Sequence, residues 1–94
     1  MKAYWIARVT VNNPDQYRLY AEAAPQAFGK YNARIMARGG RCQQLEGEGR
    51  PRNVVIEFDS FEDALACYNS PEYQEARAKR QGAGEAEIVI VEGV

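Results

Sequence analysis

The sequence predicts an α+β fold, a four-stranded antiparallel sheet with helices on one face, in the order strand, helix, strand, strand, helix, strand. Three observations carry this. Residues 4–11, 34–45, 54–58 and 86–91 are four strand-like runs, and the first, third and fourth are dense in β-branched or aromatic residues. Two stretches with apolar residues at helical spacing separate the first run from the second and the third from the fourth. Only Gly47-Glu48-Gly49-Arg50-Pro51 stands between the second and third runs, and this turn chemistry makes them a hairpin.

The first strand runs from Tyr4 through Val11 and stops at Asn12-Asn13-Pro14. Asn13 is placed to cap a helix, Pro14 to occupy its first position where the missing N–H costs nothing, and Gln16 to complete the capping spacing. Tyr17, Tyr20, Ala21, Ala24, Phe28 and Tyr31 form the apolar stripe, with a kink or short restart expected at Pro25. The second strand is expected over residues 34–45, with a bulge or bend at Gly39-Gly40. After the third strand, Ser60 caps a helix with Asp63 three residues on, and Phe61, Ala64, Leu65 and Tyr68 mark its inner face. Asn69-Ser70-Pro71 ends that helix and starts another, on which Tyr73, Ala76 and Arg80 share one face. Gly82-Ala83-Gly84 releases the chain into the last strand. This is the ferredoxin-like βαββαβ order, whose usual sheet order 4-1-3-2 puts the first and third strands in the centre.

Ninety-four residues are read as one domain over 1–94, and a domain of this size buries a modest share of its surface. Both central strands are apolar on both parities, while two helices cover one sheet face. The other face therefore calls for a second copy, and a homodimer through the sheet face is expected. The formal net charge of −1 gives no electrostatic case for a nucleic-acid or membrane partner. Arg50, Arg52, Arg77, Lys79 and Arg80 are interleaved with Glu and read as solvated faces. Cys42 and Cys67 lack CxxC spacing and read as reduced, small apolar residues of a cytoplasmic protein. No run approaches a membrane span, and Met1-Lys2 leads directly into strand pattern rather than a signal peptide.

The chain has no histidine, which removes the commonest neutral-pH base, Ser/His and Cys/His pairs, and most transition-metal sites; no metal and no cofactor are expected. Two readings of the inward polar groups stay open. In the functional one, Arg8 or Arg38 holds an anion or an enolate-like oxygen, Glu57 is a base, and Tyr68 and Tyr73 donate hydrogen bonds. In the structural one, Arg8 and Glu57 form a pair within the fold or one of them faces solvent near a strand end, Tyr17, Tyr20, Tyr31 and Tyr68 are core, and Ser70 is a helix cap. Arg80 needs an acceptor wherever it turns inward.

Several short segments, in order, resemble the bacterial family called domain of unknown function 1330, within the dimeric α/β-barrel group. They are Ala37-Arg38-Gly39-Gly40, Leu45-Glu46-Gly47, Val55-Ile56-Glu57-Phe58 followed by Ser60, Tyr68-Asn69-Ser70-Pro71-Glu72-Tyr73 with Arg80 after it, and residues 89–94. Tyr31-Asn32-Ala33-Arg34 stands where other members often carry glycines. The resemblance implies a ferredoxin-like subunit and a dimer whose sheets form a barrel, and it picks out Arg38, Glu57, Tyr68, Ser70, Tyr73 and Arg80. Proteins on this fold include cofactor-independent monooxygenases, lactone isomerases and haem enzymes, though shared fold is weak evidence for shared chemistry. The expected function is a small-molecule-binding homodimer. It is read as a cofactor-independent enzyme, isomerase or monooxygenase-like, acting on a small carbonyl, lactone or aromatic compound. Glu57 and Tyr73 are the catalytic candidates, and Arg8, Arg38, Tyr68, Ser70 and Arg80 the binding ones. The alternative is a non-catalytic accessory or ligand-sequestering dimer.

Overall fold

The computed structural model describes residues 1–94. Its elements are β1 (Ala3–Val11), α1 (Pro14–Lys30), β2 (Arg34–Arg38), β3 (Arg52–Phe58), α2 (Phe61–Asn69), α3 (Pro71–Arg80) and β4 (Gly84–Glu92). The sheet has the order β2-β3-β1-β4 with every pair antiparallel, which is the ferredoxin-like arrangement. No helix is long and apolar enough to cross a membrane.

Alternation along β1 gives the sheet two different faces. Ala3, Trp5, Ala7 and Val9 are buried under the helices, joined across the strands by Ile56 and Phe58. Trp5 sits at the middle of an aromatic cluster. Its ring lies 4.9 Å from Tyr73, 5.2 Å from Phe28, 5.7 Å from Tyr68 and 6.0 Å from Phe58, so all three helices and β3 meet at one side chain. Tyr4, Ile6, Arg8 and Thr10 point the other way, beside Val55, Val89 and Val91. No helix covers that face, and Val89 and Val91 are 56% and 47% exposed.

The three caps form as their sequence patterns predict. Asn13 accepts from Gln16 N–H, Ser60 from Asp63 N–H, and Ser70 from Tyr73 N–H. Ser70 also closes α2, because its hydroxyl donates to the Cys67 carbonyl at 2.6 Å while accepting from Tyr73 N–H at 3.2 Å. Buried between two helices, it is occupied on both sides. That geometry makes it a structural hinge point.

Four expectations are corrected. α1 runs unbroken through Pro25, which sits on an exposed position where a single missing N–H is tolerated within a long helix. β2 ends at Arg38 instead of running to Leu45, because Gly39 takes a φ of +63° that strand geometry excludes. The bulge falls at Met36, inside β2: Ile35 is opposite Ile56 and Ala37 is opposite Val55, leaving Met36 unpaired. On α2 the fully buried residues are Ala64 and Cys67, while Leu65 is exposed, so the inner face is rotated by part of a turn. Burial also pushes the Cys67 thiol up to about 12, leaving it an inert core group.

Ser70→Ala removes both cap bonds and strands Tyr73 N–H in a dry site, so urea denaturation is expected to show a loss of about 1–3 kcal/mol. A loss below about 0.3 kcal/mol would remove Ser70 from this role.

Candidate functional site

The face that each strand residue takes decides which polar side chains meet. Glu57 is opposite Tyr4, and Arg8 is opposite Asn53. Arg8 and Glu57 therefore share a face, but they stand four positions apart, roughly 13 Å along the strands. They do not pair. Arg8 instead donates to Asn53 Oδ1 and to Gln44 Oε1, each at 3.1 Å. Glu57 accepts from Arg34 Nε at 2.7 Å and from the Tyr4 hydroxyl at 3.1 Å, while Arg34 also reaches Asp59 at 3.0 Å. The Arg34 bond holds the Glu57 carboxyl below its ordinary value, partly offset by desolvation. At the other end of the same face, Arg50 bonds Glu87, Glu85 and Thr10, so it is not a solvated charge.

Tyr73 and Arg80 lie across the sheet, on the helix side. Tyr73 is fully buried, its hydroxyl 2.9 Å from that of Tyr20, and Arg80 Nη1 donates to it at 3.3 Å. The Arg80 guanidinium stacks on Tyr20 at 4.7 Å. Burial raises the pKa of both phenols, with the Tyr20 bond and the Arg80 charge pulling Tyr73 partly back. Both remain neutral hydroxyls at physiological pH. The strand between them and Glu57 presents its two faces to two separate environments, so Glu57 does not act with Tyr73 and Arg80 in one place.

One pocket opens on the helix side, between α1 and the strands. Its floor is Trp5, Tyr17, Phe28 and Ile56, and its rim carries Ala21 and Pro25 from α1 and Ile35 from β2. The cavity is small, about 50 Å³, and it opens to solvent at its mouth. Its charged lining residues are Arg38, Arg52 and Arg80, with no carboxylate among the lining residues. Arg38 reaches it through the bulge. Strict alternation from Arg34, which faces Glu57, would keep Arg38 on that same face; the extra residue at Met36 turns it to the side of Val54 and Ile35. Arg52 stacks over Tyr17 at 5.5 Å. A Cβ at Gly39 would collide with Arg52 Nη1, so glycine there leaves room for the guanidinium.

Of the residues proposed from the sequence, Arg38 and Arg80 line this pocket and Tyr73 stands directly behind Tyr20. Tyr68 packs on Trp5 and borders a separate cleft with Phe61, Leu65 and β4 residues. Arg8 and Glu57 are on the far face, and Ser70 is a buried cap. Arg52 was missed as a pocket residue, although its parity matches Val54, Ile56 and Phe58. Tyr17 and Tyr20, taken as core, also face the pocket.

A family model described as "Domain of unknown function (DUF1330)" matches residues 2–94. Among solved structures, RPA0582, a protein of unknown function from Rhodopseudomonas palustris, superposes with TM-score 0.75 at 18% identity, covering 99% of this chain and 82% of that one. SnoaB, a cofactor-independent oxygenase from Streptomyces nogalater, gives 0.71 at 7% identity over 99% and 93%. A dimeric ferredoxin-like protein of unknown function from Jannaschia sp. CCS1 gives 0.70 at 14% identity over 99% and 100%. These likenesses are of fold. No curated protein matches the sequence.

The depressed Glu57 pKa contributes stability that is present above the ordinary carboxylate value of 4.5 and lost as pH falls through the folded-state value. Glu57→Gln is therefore expected to be less stable than the wild type at pH 7, with the gap narrowing by pH 3 in parallel urea titrations. A gap that does not change with pH would show that the Arg34 pair is not its source.

Proposed function

The chain belongs to the DUF1330 family, and from that premise we propose that it is a small-molecule-binding homodimer whose ligand occupies the pocket between α1 and the sheet. The observation that carries this is the pocket's make-up. An aromatic floor suited to a compact apolar body opens to solvent beside the Tyr20 hydroxyl and guanidinium groups. Its polar side chains offer hydrogen-bond donors and positive charge. They suit the oxygen of a small carbonyl or aromatic compound, and would stabilise negative charge developing on it. Glu57 lies outside this arrangement, so proton abstraction by that carboxylate is not part of the reading.

The dimer reading rests on the uncovered sheet face. Tyr4, Ile6, Val55, Val89 and Val91 make a continuous apolar stripe there, and at its two ends Arg34 and Arg50 are paired with carboxylates while Arg8 donates to Asn53 and Gln44. A second copy laid on this face would bury the stripe without stranding those charges. The Jannaschia relative is described as dimeric, which supports a homodimer.

Trp5 is the sole tryptophan and lines the pocket, so its fluorescence reports on occupancy. Small aromatic ketones and acids are expected to quench or shift it in wild type, and Ala21→Phe, which fills the mouth from an exposed position, should abolish the response with an unchanged Tm. Equal responses in the two proteins would refute the pocket assignment. For the interface, Val89→Glu is expected to convert a dimer to a monomer in sedimentation equilibrium; a dimer that persists in this variant excludes the sheet face.

A further inference from the structure

Arg38, Arg52 and Arg80 converge on one aromatic pocket, and none of them forms an ion pair with a carboxylate. Elsewhere Arg34 pairs with Glu57 and Asp59, Arg50 with Glu85 and Glu87, and Arg18 with Glu22, while Arg8, Arg41 and Arg77 form no ion pair. What sets the pocket apart is that its lining gathers three arginines and no carboxylate. Arg80 has an acceptor in the Tyr73 hydroxyl and a ring beneath it. Arg52 has only the Tyr17 ring, and its Nε is buried with no acceptor within the chain. Stacking on a ring uses the face of a guanidinium and leaves its in-plane N–H donors free. A buried donor of a charged group without a partner is costly, and in native proteins it calls for an explanation.

Position adds a second argument. The Met36 bulge turns Arg38 to this side of the sheet, and Gly39, at φ +63°, leaves room for Arg52 where a side chain would not. Two separate backbone irregularities thus serve the same corner. The rings of Tyr17 and Tyr20, which carry Arg52 and Arg80, have centroids 5.4 Å apart. The two guanidinium groups therefore flank one short stretch of α1, at the polar side of an otherwise apolar space.

Resting on the pocket assignment above, we infer that the natural ligand is a small aromatic or alicyclic carboxylate. Its ring lies on the Trp5–Phe28 floor, and its carboxylate takes terminal Nη donors of Arg52, with Arg38 and Arg80 adding positive charge. A planar carboxylate matches the guanidinium fork, and the small space, open at its mouth, excludes a nucleotide-sized molecule. Arg52 is thereby the residue that sets specificity for charge.

The test compares matched pairs that differ in charge alone: benzoate with benzamide, phenylacetate with phenylacetamide, and 1-naphthoate with 1-naphthamide. Each is titrated by Trp5 fluorescence and calorimetry at constant ionic strength against wild type and Arg52→Met, which keeps an apolar stem over Tyr17. In wild type at least one acid is expected to bind roughly tenfold or more tighter than its amide, the size of a hydrogen-bonded charge contact. Arg52→Met should erase that preference while leaving amide affinity within about twofold. Equal binding of acid and amide in wild type overturns the carboxylate inference and leaves the pocket assignment standing. Binding of neither class in any pair overturns both. A preference that survives in Arg52→Met overturns the role of Arg52.

Discussion

Trp5 is the contact on which the rest of this fold depends. Its indole touches aromatic rings from α1, α2, α3 and β3, so the position of every helix over the sheet is set against one side chain in a central strand. Edge-on contacts with Phe28 and Tyr73, at 89° and 76° between planes, suit the quadrupoles of the rings as well as burying them. The same indole forms part of the pocket floor. The core and the candidate site are thus continuous, because the floor of the pocket is the core.

The two faces of the sheet divide the charged residues into two populations. On the open face, Arg34 and Arg50 are paired with carboxylates and Arg8 is held by Asn53 and Gln44, with an apolar stripe between. On the helix face, three arginines share an apolar space with tyrosine rings and hydroxyls. A side chain that changes face changes population, and this gives the bulge at Met36 its consequence. One extra residue in an edge strand moves Arg38 from the side of Glu57 to the side of Arg52.

Much of the fold was legible because it is locally encoded. Asn13, Ser60 and Ser70 cap through bonds three residues away, which a reader of the chain can see. Parity along β3 puts Glu57 on the face of Val55 and Arg52 on that of Ile56, but it was followed to neither residue in the sequence. The candidate site was read less well. Glu57 was grouped with Tyr73 and Arg80 because all three fall in one segment, although the sheet itself stands between them. Arg52 was discounted because it neighbours other charged residues in sequence, when its surroundings are Tyr17 and Gly39.

By itself, then, the sequence determined the order of elements, the helix starts, the hairpin and the need for a cover on the second sheet face. Each follows from periodicity or from contacts within a few residues. Tertiary structure alone decided the strand register, the bulge, the partners of Glu57 and Arg50, and the meeting of Arg38, Arg52 and Arg80 around one pocket. Those depend on residues far apart in the chain, and a shift of one position in register reverses which face a side chain takes.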